Sequence, residues 1–213
     1  MKSIALIGAL ALTGSAFAAF TGVSYETSTH AAAPGYIIYT WYANFDSVWN
    51  DGGTPDDFSD DTGDRVNSIG SGATAPMTFS SSADILVAGP STYTGQWHNA
   101  WDSYAVIGYT TNGGTATSGD FSTGTNDWGG SSWNVANGSY YRVGGAYGNA
   151  IGIGQVTLPE DATFTFTALM SATIDTGADG QEGISEWITL TNIPAPGALA
   201  LLGLAGLARR RRR

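Results

Sequence analysis

The chain has 213 residues with 18 Asp and Glu against 8 Lys and Arg, a formal charge of −10. Lys2 and Arg209 to Arg213 hold most of the positive charge, so the stretch between them carries two arginines, Arg65 and Arg142, against all eighteen carboxylates. A body of that sign repels phosphate, which excludes nucleic acid as a partner, and the absence of cysteine excludes both a disulfide framework and a thiol nucleophile.

Residues 1–18 have the layout of a secretory signal: a basic start at Lys2, an apolar run from Ile4 to Leu12, and Ala16-Phe17-Ala18 as the cleavage site. Residues 19–192 then form one secreted domain, long enough for its own core. Segments rich in β-branched and aromatic residues recur between Gly, Asn and Asp turns. They predict strands at Gly22–Thr29, Tyr36–Asn44, Asp84–Ala88, Tyr104–Thr110, Tyr140–Val143, Ile151–Thr157, Ala162–Met170 and Ile184–Thr191. Tyr36 to Tyr42 is apolar almost throughout and reads as a central strand covered on both faces. In Ala162 to Leu169 Phe and Thr alternate, giving one apolar and one hydroxyl face. The expected fold is all-β: an antiparallel β-sandwich, jelly-roll-like, flanked by an N-terminal signal helix and a short C-terminal apolar helix. A β-helix lacks support, because no fixed internal period is present.

Between Asn44 and Gly70 lies the densest acidic run: Asp46, Asp51, Asp56, Asp57, Asp60, Asp61 and Asp64. Carboxylates this close repel one another unless protons or a metal neutralise them, and Ca²⁺ tolerates irregular oxygen ligands. Asp56, Asp57, Asp60, Asp61 and Asp64 are therefore the candidate calcium ligands, although the order of an EF-hand loop is absent; a solvated acidic loop is the alternative reading. Tyr42-Ala43-Asn44-Phe45, Asp64-Arg65-Val66-Asn67-Ser68-Ile69-Gly70 and Trp101-Asp102-Ser103-Tyr104-Ala105-Val106-Ile107-Gly108 resemble segments of exported planctomycete proteins. That resemblance implies location and fold, not an activity.

No H-x-H or H-E-x-x-H spacing joins His30 and His98, and no G-x-S-x-G elbow is present. The chain therefore reads as a non-enzymatic protein. Trp97, Trp101, Trp128 and Trp133 lie among Gly, Asn and Ser, where exposed rings could stack on sugars, so they are the candidate carbohydrate-binding residues. The alternative is that these rings plug the ends of the sandwich.

The chain closes on Pro194-Ala195-Pro196, an apolar Leu/Ala/Gly run to Ala208, and Arg209, Arg210, Arg211, Arg212 and Arg213. The apolar segment spans roughly 21 Å as a helix, short of the about 30 Å of a bilayer core. The three-part layout resembles the PEP-CTERM sorting signal, with Ala195 standing where the family has Glu. The resemblance implies that residues 193–213 are a sorting signal recognised by an exosortase-type enzyme, with transient tethering in the inner membrane and delivery to the cell surface or matrix. Two functions follow as expectations: an exported structural protein of the surface or extracellular matrix, or a lectin-like module that binds exopolysaccharide, with or without Ca²⁺.

Overall fold

The computed structural model describes residues 20–46, 63–70, 76–87, 100–105, 107–108, 118–120, 130–135, 139–175 and 181–193. Both predicted terminal helices lie outside these residues. The described residues form an antiparallel β-sandwich of ten strands: β1 (Phe20–Ser28), β2 (Tyr36–Phe45), β3 (Arg65–Ile69), β4 (Met77–Ser81), β5 (Ser118–Asp120), β6 (Ser132–Val135), β7 (Ser139–Tyr147), β8 (Ala150–Pro159), β9 (Phe164–Asp175) and β10 (Gln181–Thr191). A three-stranded sheet has the order β1-β2-β8. The other seven strands form the larger sheet, in which β9 is the spine. The full length of β10 pairs along one edge of β9. Along the other edge β4 pairs with residues 164–167 of β9 and β3 with residues 170–173.

Alternation explains why β9 takes this place. Phe164, Phe166, Ala168, Met170, Ala172 and Ile174 are all buried, while the threonines between them are half-buried on the opposite face. Trp41 of β2 meets this apolar row from the facing sheet. Its ring lies 4.6 Å from Phe166 and 5.7 Å from Phe164, both stacked, with Phe79 of β4 at 6.4 Å. Tyr25 and Tyr39 close the cluster edge-on against Phe164 at 6.0 and 5.0 Å. With no cysteine in the chain, packing joins the two sheets, and this aromatic seam is part of one buried cluster with aliphatic residues such as Ile153, Val156 and Leu158 of β8 and Ile69 and Met170 of the larger sheet.

Three expectations need correction. β2 is the central strand of its sheet, but its two faces are covered unequally: Tyr39, Trp41, Ala43 and Phe45 are all buried, whereas on the other face Ile38 is buried and Thr40, Tyr42 and Asn44 are half-buried. The strand buried along nearly its whole length is β8, Ile151 to Leu158. Residues 84–87 are not a strand. The Ile85 N–H donates to Gly130 O at 3.1 Å and the Leu86 N–H to Thr157 O at 2.9 Å, one bond to each side of the sandwich, so no ladder forms. Nor do the described residues of Tyr104–Thr110 make a strand. Tyr104 and Gly108 form isolated bridges to Gln155 and Gly152. The step from Tyr104 to Gly108 is one residue longer than the step from Gln155 to Gly152, and Gly108 has φ +107°, which breaks the ladder.

A bulge in β8 makes a second link between the sheets. The β2–β8 register shifts between Trp41 and Tyr42, leaving Ile153 as the extra residue. Its carbonyl accepts the hydroxyl of the buried Tyr140, carried by β7 of the other sheet. Burial pushes the Tyr140 phenol well above its ordinary range. An unfolded tyrosine loses its proton near pH 10, while the folded one keeps it. This contribution is present below about pH 10 and is lost as pH rises from there towards the raised folded value. In thermal melts the protein is expected to lose stability above about pH 10, and Tyr140→Phe to show a shallower loss. An equally steep alkaline decline in the variant is the contrary result.

Candidate functional site

The outward face of the larger sheet is the most distinctive surface among the described residues. On β9 it presents Thr165, Thr167, Leu169, Ser171 and Thr173, all half-buried. The register sets Thr191, Thr189, Trp187, Ser185 and Gly183 of β10 directly across from them, in that order. On the other side Ser80 and Thr78 of β4 stand beside Thr165 and Thr167, and Ser132 and Asn134 of β6 stand beyond. Between Thr165 and Thr173 on β9, and between Gly183 and Thr191 on β10, the outward positions carry no carboxylate.

The hydroxyls are ordered among themselves. Thr165 Oγ1 donates to Thr191 Oγ1 at 3.2 Å, and Thr191 Oγ1 donates in turn to Phe164 O at 2.7 Å. Thr167 and Thr189 share a hydrogen bond of 3.3 Å. Asn67 Nδ2 donates to Thr173 Oγ1 at 2.8 Å. Each pair leaves lone pairs or a proton over, because a hydroxyl has one donor and two acceptor sites. Trp187 rises from this surface 55 % exposed, directly opposite Leu169. Cross-strand neighbours of this kind have their Cβ atoms about 5 Å apart. The result is an apolar step, one indole beside one isobutyl group, with hydroxyl side chains before and after it on both strands.

The sequence-predicted residues are distributed differently. Asp56, Asp57, Asp60 and Asp61 lie outside the described residues, as do Trp97 and Trp128. Asp64, last of the acidic run, is fully buried immediately before β3, and its carbonyl accepts the Gly148 N–H at 3.4 Å. Asp46 is exposed at the end of β2. Among the described residues no three of His, Cys, Asp and Glu converge to hold a metal. Trp101 is half-buried in the turn before Asp102, and Trp133 is paired in the β6 ladder opposite Phe79. Ala16, Ala18, the Pro194-Ala195-Pro196 motif and the arginine cluster all lie outside the described residues. Trp187 is not among the candidate sugar-binding tryptophans, because exposure is expected of rings in Gly-, Asn- and Ser-rich stretches and Trp187 lies in a strand. The readable signal was Ser185-Glu186-Trp187-Ile188-Thr189, where the indole falls on the hydroxyl side of the alternation.

A second polar cluster lies on β8. Gln155 Nε2 donates to Ala100 O at 3.2 Å and to Asp102 O at 2.8 Å, while Gln155 Oε1 accepts from Thr40 Oγ1 at 3.1 Å. Ser103 Oγ accepts the Thr157 N–H at 2.9 Å, and Asp102 Oδ1 accepts the Ser103 N–H at 2.8 Å. Asp102, Ser103, Gln155 and Thr157 are all buried. Their hydrogen bonds fasten residues 100–104 to the sheet.

No protein-family model, curated protein or solved structure matches this chain.

Proposed function

We propose that this protein is an exported, non-enzymatic component of the cell surface or extracellular matrix, released from an inner-membrane intermediate by an exosortase-type enzyme acting on its C-terminal tail. The observation that carries this reading is the way the β-sandwich closes at Asn192. Its side-chain amide donates to Ala162 O at 2.8 Å and to the Tyr39 hydroxyl at 3.1 Å, while its Oδ1 accepts the Phe164 N–H at 2.7 Å. The last residue of the body is thereby tied to the start of β9 and to β2. Pro194 follows two residues later, so removal of everything from there on takes away none of these bonds. A cleavable tag requires a body that is closed before the tag begins.

Intact-mass measurement on the protein recovered from its producing cell tests the proposal. The expected mass lacks both residues 1–18 and the apolar-plus-arginine segment. A mass that retains residues 197–213 overturns processing in favour of a permanent tail anchor.

A further inference from the structure

We propose that the outward face of the larger sheet is a binding surface for a neutral polysaccharide, with a pyranose ring stacked on Trp187. This is independent of the fate of the tail and concerns none of the loop tryptophans. Three observations carry it. The first is the ring itself: Trp187 is 55 % exposed on a regular strand, held opposite Leu169 by the β9–β10 register. One face of a pyranose is a patch of C–H groups that packs on an indole while its hydroxyls point outward.

The second is what surrounds the ring. Ser185 and Thr189 flank it on β10, and Thr167 and Ser171 flank Leu169 on β9. Sugar hydroxyls extending from a stacked ring meet hydroxyl partners along β10 in both directions and across on β9. Thr167 and Thr189 are already hydrogen-bonded to each other, so less side-chain freedom is lost on binding. The third is charge. All eighteen carboxylates of the chain lie between its two termini, yet the outward positions of β9 and β10 around the ring carry none.

These features favour one class of occupant. A protein partner needs an apolar centre larger than one Trp and one Leu. A nucleic acid is repelled by the acidic body. An uncharged, hydroxyl-rich chain satisfies both the ring and its surroundings, and it calls for no metal, because the outward positions of β9 and β10 beside the ring are Thr167, Leu169, Ser171, Ser185 and Thr189.

Native electrophoresis of the purified protein through gels containing hydroxyethylcellulose, galactomannan or dextran tests this, with alginate as the anionic counterpart. At least one neutral polymer is expected to retard the protein, and EDTA to leave the retardation unchanged. Trp187→Ala is expected to weaken it at least about tenfold, as for a tryptophan at the centre of an interface. Trp187→Phe retains part of the binding. The paired change Thr167→Val with Thr189→Val weakens it severalfold at unchanged melting temperature. The proposal is overturned if no neutral polymer retards the protein, if Trp187→Ala binds as well as the parent, or if retardation requires Ca²⁺ or occurs in alginate alone. Sedimentation of Trp187→Ala provides the remaining check: a change of oligomeric state would make this face a contact between copies of the chain and overturn the glycan assignment.

Discussion

Trp41→Ala is expected to lower the melting temperature by roughly 6–20 °C, the largest effect of any single substitution considered. The indole is fully buried and sits between the sheets, stacked on Phe164 and Phe166 with Phe79 at 6.4 Å. Truncating a buried tryptophan typically costs about 3–5 kcal/mol, part lost transfer energy and part unfilled cavity. A domain of this size shifts by about 2–4 °C per kcal/mol. Total stabilities of about 5–15 kcal/mol leave limited reserve, and no disulfide holds the sheets once the seam opens. Trp41→Phe, which keeps a ring against Phe166, should lose less than half as much. Melts followed by circular dichroism decide it: equal losses for Ala and Phe would show that ring stacking is not what joins the sheets.

Gln155→Leu is expected to destabilise by about 2–4 kcal/mol although leucine is apolar and similar in size. The amide of Gln155 serves three partners at once, the carbonyls of Ala100 and Asp102 and the hydroxyl of Thr40. Each polar group left buried without a partner costs about 1–3 kcal/mol, partly relieved where water can enter. The damage should be local first. Chymotrypsin is expected to gain access at Trp101 and Tyr104 while the β9–β10 pair stays protected. Gln155→Glu is expected to be no better, because a carboxylate can still accept from Thr40 yet has no proton to offer the two carbonyls. Wild-type resistance to cleavage in either variant would mean that other bonds hold residues 100–104.

How far the fold was legible depends on how each strand makes its core contacts. β9 could be read directly, because Phe164, Phe166 and Ala168 alternate with threonines and the period survives on its own. β1, β2, β8 and β10 were also visible from their β-branched and aromatic content. β3, β4 and β6 escaped because each contributes only one or two apolar residues, such as Val66 and Ile69 or Met77 and Phe79, within Ser/Thr/Asn surroundings that look like loop. These strands are specified by pairing rather than by their own composition: β3 with β7 and β9, β4 with β9, and β6 with β4. In the other direction, Asp84 to Val87 has apolar strand-like residues whose backbone bonds divide between distant partners. Trp187 shows the same limit from the side of the candidate site. Its ring counts as exposed only once Leu169, Ser171 and Thr167 are known to lie across from it, and register is a long-range fact.

The position of β9 also has a kinetic consequence. The spine of the larger sheet enters the chain late: residue pairs such as Thr78 with Thr167 and Val66 with Ala172 are about a hundred positions apart, and β2 waits for β8 over a similar stretch. Contacts of that separation are closed slowly, since loop entropy is lost before they form. Until β8 and β9 are available, β1 and β2 can make only a hairpin, which is marginal in water by itself. β2, β3 and β4 therefore cannot complete their sheets until β8 and β9 have arrived.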